Sequence, residues 1–204
     1  MFVFYTLLIS SSLIALIGLI TNNPIVITSS ILISPFNIPI MTLTNGICFV
    51  DRKLIKQSLI MFFYGIIISF IIGYVGGLLC ACLYQINWPN NISLIDPYLS
   101  YFIFSILISI FSGPAVGVQV INNDIGSTIG TCITTNVLPQ SVNTGLLLSY
   151  TTLYNGSFEN ITRIDLIVSS GISIGISLLN ILFTLIGAVI VVRRHNNLQN
   201  FNTV

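Results

Sequence analysis

The stretch Asn23-Pro24-Ile25-Val26-Ile27-Thr28-Ser29-Ser30-Ile31-Leu32-Ile33-Ser34-Pro35-Phe36-Asn37-Ile38-Pro39-Ile40 is apolar enough to enter a bilayer, yet prolines and an amide interrupt it. A proline inside a helix removes one backbone hydrogen bond and frees a carbonyl. In hydrocarbon an unpaired polar group costs several kcal/mol, so such a break persists only against protein or beside a water-filled cavity. The other half of the chain carries a counterpart. There Asn122-Asn123-Asp124 opens an apolar run through Thr134, Thr135 and Asn136, and Val137-Leu138-Pro139-Gln140-Ser141-Val142-Asn143 breaks it. One interrupted span in each half predicts where any chemistry lies.

The rest of the composition agrees with a membrane setting. The chain has 204 residues, of which 54% are apolar and 5% charged, and its mean hydropathy is +1.01. A soluble domain carries about 25% charge, so the reading is a polytopic membrane protein whose first partner is the lipid bilayer. A net charge of +1 gives no reason to expect a nucleic-acid partner. Six apolar segments can be drawn, at roughly 2–20, 24–46, 55–84, 97–112, 125–150 and 166–192. A crossing needs about 20 residues. The fourth is short unless it continues through Gly113-Pro114, while the third and sixth are long enough to tilt or project. Residues 1–204 form a single transmembrane domain with halves at about 1–86 and 95–193, and a short polar tail at 194–204. Met1 to Ile20 lacks a basic start and a small-residue cleavage site, so it reads as a retained helix.

Orientation follows from the basic residues. Arg52, Lys53 and Lys56 lie between the second and third segments, and Arg193 and Arg194 follow the sixth. The positive-inside rule puts both groups, and with six crossings both termini, on the cytoplasmic side. Arg163 is the exception, in a loop shared with Glu159 and Asp165. Tyr84, Trp88, Tyr98, Tyr101, Tyr150 and Tyr154 fall at outer segment ends, where an aromatic belt sits. The glycosylation sequons at Asn91, Asn155 and Asn160 also fall outside, in numbers that chance alone gives. A rival topology makes the second and fifth segments re-entrant loops.

The halves repeat. Asn22-Asn23 matches Asn122-Asn123, Ser34-Pro35 matches Leu138-Pro139, and Gly46 matches Gly145. Each half reads as helix, broken helix, helix. Three crossings per half make the second half enter from the opposite side, the inverted repeat of many secondary transporters. Pro35 lies about 18 Å along a helix from Asn23, close to half a bilayer, and Pro139 about 24 Å from Asn123. The plainer alternative is a pair of ordinary proline kinks. Gly73 and Gly77, Gly113 and Gly117, Gly126 and Gly130, and Gly171 and Gly175 stand four apart, a spacing that lets helix backbones approach closely. Ser169, Ser173 and Ser177 extend that strip on the sixth segment.

Around Asn23 to Ile40 the chain resembles a widespread group of hydrophobic proteins, the family catalogued as domain of unknown function 389. That family shows an apolar run ending in a small residue and Pro, a second Pro shortly after, a basic loop and a long helix. Ser34-Pro35 with Pro39, Asp51-Arg52-Lys53-Leu54-Ile55-Lys56 and the helix holding Gly73 and Gly77 stand in those places. The family's second signature, an apolar run into Leu-Pro-Pro and then Gly, matches Val137-Leu138-Pro139 and Gly145, with Gln140 where a second Pro is usual. The soluble N-terminal region of many members has no counterpart in this chain. The resemblance covers roughly 17–150 and implies fold and topology; it brings no activity with it.

Catalytic chemistry has little to work with. No Lys, Arg, Glu or His lies in the interior of an apolar segment, Lys56 standing at the edge of the third, and His195 belongs to the basic edge after Arg193-Arg194. No cluster has the ligands of a metal site, and no nucleophile–base pair or inward carboxylate pair occurs, so neither an enzyme nor a cofactor is expected. Cys48, Cys80, Cys82 and Cys132 read as small apolar fillers. Asp124 reads as a helix cap, with proton or sodium coupling as its alternative. The neutral polar set is Asn37, Thr134, Thr135, Asn136, Gln140, Ser141 and Asn143. The expected pathway is Pro35, Asn37, Pro39, Asp124, Thr135, Asn136, Pro139, Gln140 and Asn143, serving a channel or transporter for a small polar solute or ion. The competing expectation is a structural or assembly protein of a cellular or viral membrane. It would act through helix packing as a homo-oligomer.

Overall fold

In the computed structural model, residues 2–83, 99–122, 137–153 and 163–202 are described, and every element among them is a helix. In chain order these are α1 (Phe2–Ile20), α2 (Pro24–Ile33), α3 (Asn37–Cys48), α4 (Arg52–Leu83), α5 (Leu99–Asn122), α6 (Val137–Leu153) and α7 (Arg163–Asn202). Three helices, α1, α4 and α7, are long and apolar enough to cross a membrane; α2 and α3, bent by 47° at their break, make a fourth if they form one span. The protein is membrane-embedded. Its surface confirms the class, because Phe63, Ile71, Val75, Leu79, Phe111, Ile174, Leu178 and Ile190 are exposed while Ser12, Ser69, Ser109, Thr144, Ser173 and Thr184 are fully buried. A water-soluble fold shows the reverse arrangement.

The first interruption is built as its residues dictate. Asn22 takes a left-handed φ of 55°, and the Asn23 N–H returns to the Gly18 carbonyl at 3.0 Å, closing the end of α1. Asn23 Oδ1 then accepts the Ile25 N–H at 3.0 Å, capping α2, with Pro24 in the first turn, where its missing donor costs nothing. Ser34 is extended, at ψ 129°, as a residue before proline must be, and α2 stops there. At α5 the outcome differs from a break. The helix runs through Pro114, which is exposed, and so the fourth segment does continue past Gly113-Pro114.

The second expected break is corrected. Val137 to Asn143, expected as the interruption itself, form the first two turns of α6, and the run before them lies outside the described residues. Pro139 is its third residue, where no intrahelical donor is lost. Asp124, Thr134, Thr135 and Asn136 lie outside the described residues, as do the belt residues Tyr84, Trp88, Tyr98 and Tyr154 and the three sequons. Tyr150, expected at the outer interface, is instead 7% exposed. Residues 194–202 of the polar tail are helical and continue α7.

Close contacts fix the helix directions. Ser12 meets Ser69 at 3.1 Å, and a Cβ on Gly76 would strike Leu16, so α1 and α4 run parallel. Ser109 meets Asn180 and Ser112 meets Thr184, and Gly113 and Gly117 lie against Gly187 and Val191, so α5 and α7 also run parallel. Phe36 on Gly65 and Gly46 on Ile55 set α3 against α4, whereas Val142 at Gly73 and Ser149 at Gly77 set α6 along it. Ser173 bonds to Asn143 beside Gly73, and Val189 sits at Cys48 near the start of α4. Helix α7 therefore runs opposite to α4. Because α1 and α4 share a direction, the α2–α3 pair between them must return across the bundle. In that return the bent pair is either a broken span or a re-entrant loop.

The core threads through these crossings, from Phe4, Leu8 and Leu16 of α1 to Leu138, Val142 and Leu146 of α6 and Ala188 of α7. Helix α6 lies deepest: every residue from Val137 to Leu147 is buried.

Candidate functional site

The interior amides come from three helices. Asn37 opens α3 just after the break and is 3% exposed. Its Nδ2 donates to Gln119 Oε1 of α5 at 3.3 Å, and Gln119 is 1% exposed. Gln140 and Asn143, at 5% and 3% exposed, lie on the first turns of α6. Asn143 Nδ2 donates to Ser173 Oγ of α7 at 3.4 Å. These bonds are long, and interhelical polar bonds in membranes contribute only about 0.6 kcal/mol on average.

Two acceptors stand out. Asn37 Oδ1 and Gln140 Oε1 are buried and meet no donor among the described residues. The neighbouring hydroxyls do not serve them: Ser141 Oγ donates to the Leu138 carbonyl and Thr144 Oγ1 to the Gln140 carbonyl, both at 2.8 Å. A buried polar group without its partner costs about 1–3 kcal/mol. What suits a bare amide oxygen is a donor or a cation.

The expected site is brought together only in part. Helices α3 and α6 do not pack on each other; each packs against both α4 and α7, so the four form a ring with α3 and α6 on one diagonal. Asn37 turns to α5 and Asn143 to α7, and the two amides do not meet directly. Pro35 lies at the bend and Pro39 is the third residue of α3, buried like its counterpart Pro139 in α6. Pro39 and Pro139 thus hold the same place, third in their helices, whereas Pro35 lies before α3. Their offset of 100 residues is the one that also relates Asn22 to Asn122.

Gln119 went unnoticed in the sequence because the fourth segment was drawn to end before Gly113; extending it through Pro114 would have placed one amide inside an apolar helix. Ser109, Ser112, Asn180 and Thr184, which form the buried polar ladder between α5 and α7, lie inside the fourth and sixth segments, where nothing in the sequence shows which face turns inward. Among the described residues nothing lies within 4 Å of a Cβ at Gly171 or Gly175.

No curated protein and no solved structure matches the chain. The model of one family, Domain of unknown function (DUF389), matches residues 31–192, which hold the first break, the glycine crossings and the interior amides, and the chain belongs to that family.

Proposed function

We propose that the protein passes a small neutral polar solute or a weakly held cation through the interior that α3, α4, α6 and α7 enclose. The observation that carries this reading is the pair of buried, donorless oxygens, Asn37 Oδ1 and Gln140 Oε1. An amide oxygen offers a dipole and no net charge, so it suits a hydrogen-bonding solute or a loosely bound ion and not strong charge coupling.

The bundle this requires is six spans in two inverted halves. Its support is the pairing of contacts. Helix α1 lies along α4 through Ser12 and Ser69, and α5 lies along α7 through Ser112 and Thr184, with Ser12 and Ser112 again 100 residues apart. The two pairs point in opposite directions, as an inverted repeat demands. The Arg193 guanidinium lies within electrostatic reach of Cys48, next to the Arg52-Lys53 turn. Basic residues gathered at one end support cytoplasmic termini.

The test uses vesicles reconstituted with the full chain. Uptake of urea, glycerol, sodium and potassium is followed for the native protein, Asn37→Leu and Gln140→Leu. At least one probe should enter faster than into protein-free vesicles, and each variant should bring that rate down to the protein-free level. Native rates in both variants would rule the interior out as the path.

A second reading, assembly through helix packing, is favoured by the open Gly171 and Gly175 positions on α7. Close approach of a second copy there predicts that Gly175→Leu converts an oligomer to a monomer on light scattering in detergent. An unchanged mass would discard it.

A further inference from the structure

A groove of about 590 Å³ opens between the first turns of α1 and α4, away from the interior amides, with Tyr5 on one wall and Lys53, Lys56, Gln57, Ile60, Met61 and Tyr64 on the other. The α4 residues follow the spacing of a single helix face, so the stripe is continuous. Along it the chemistry changes in order. Two ammonium groups and an amide come first, two aliphatic side chains next, and a phenol last, about 16 Å from Lys53. The opposite wall is fixed, because the Tyr5 ring stands edge-on to Phe4 with centroids 5.5 Å apart, and Phe4 is buried.

The charge of this groove is uncompensated among the described residues. Asp51 is the neighbouring carboxylate, and its Oδ1 accepts the Lys53 backbone N–H at 2.9 Å as the cap of α4. Arg52 adds a further cation beside it. Both α1 and α4 are candidate spans, so their shared starting end lies at a membrane surface.

We propose that the groove binds one anionic phospholipid, with its phosphate between Lys53 and Lys56 and its first acyl carbons along Ile60 and Met61. The graded stripe is what selects a lipid over a free anion. Inorganic phosphate would satisfy the lysines but leave the apolar floor bare, whereas a phospholipid carries the same gradient from phosphate to hydrocarbon. A zwitterionic headgroup brings its own cation and competes poorly for two ammoniums. Tyr5 and Tyr64 suit the boundary level, where phenols settle with the ring in hydrocarbon and the hydroxyl in water. This inference is independent of any pathway through the interior.

The full chain in detergent is titrated with phosphatidylglycerol and with phosphatidylcholine, and bound lipid is counted by native mass spectrometry. Lys53→Gln with Lys56→Gln should weaken phosphatidylglycerol binding by about tenfold or more and leave phosphatidylcholine unchanged. Arg193→Gln with Arg194→Gln removes as much charge at the same end, and should change phosphatidylglycerol binding far less. Ile60→Ser should weaken the lipid as well. Equal losses in the two charge variants would mean general surface attraction and overturn the site. Native binding in the lysine variant would overturn it too. Displacement of the lipid by millimolar inorganic phosphate, with Ile60→Ser without effect, would replace it with a free-anion site.

Discussion

Val50 holds a left-handed φ of 55°, where a β-branched residue is strained. The reason is the way α3 ends: the Asp51 N–H returns to the Gly46 carbonyl at 2.9 Å, a closure that needs a left-handed residue between them. Asn22 serves the same purpose after α1, and asparagine tolerates it. Val50→Gly relieves the strain but loosens the unfolded chain, and the first effect is the larger. It should stabilise the protein by about 0.5–1 kcal/mol, seen as a higher midpoint of thermal unfolding in detergent. A lower midpoint would show that Val50 contributes packing that outweighs its backbone. At this scale the sequence was readable for Asn22-Asn23-Pro24, whose three residue types name their own places, and silent for Val50.

The element that matters most is the bent pair α2–α3. Pro35 forces Ser34 out of the helical region, but Pro39 is harmless where it stands, in the first turn of α3. Were the pair to become one helix, Pro39 would be interior to it. Pro35→Ala alone should therefore keep the 47° bend. Pro35→Ala with Pro39→Ala should straighten it, lengthening the distance between spin labels at the exposed Ile25 and Phe49 positions by about 3 Å. Straightening by the single change would show that Pro39 has no part in the break. The glycine crossings explain why the surrounding elements cannot simply shift. A Cβ on Gly145 would meet the Phe70 carbonyl and the Tyr74 N–H of α4, and one on Gly113 would lie 2.8 Å from Gly187. Overpacking of this kind costs about 1–3 kcal/mol.

For the whole molecule, the antiparallel relation of α4 and α7 makes a topological prediction. In a variant with all four cysteines replaced by serine, single cysteines at Asn22 and Asn122 should be labelled from opposite sides of a sealed vesicle. Those at Lys53 and Leu198 should be labelled from the Asn122 side. Labelling of Asn22 and Asn122 from one side would remove the inverted arrangement, and with it the reason to treat the two proline regions as partners. Helix α7 extends about 60 Å, twice the hydrocarbon thickness, so it tilts or projects beyond the bilayer.

The sequence by itself determined the membrane class, the first break and the gathering of basic residues, because hydropathy, proline geometry and capping act within a few residues along the chain. It did not determine that Pro39 and Pro139 each stand third in a helix, that Asn37 bonds to Gln119, or that α3 and α6 stand apart across α4 and α7. Lipid is as apolar as a protein core, so a membrane helix carries little polar stripe to reveal which face turns inward. Only the crossings of helices distant in the chain, set by where glycines and hydroxyls let backbones approach, decided which buried amides meet and which are left waiting for a donor.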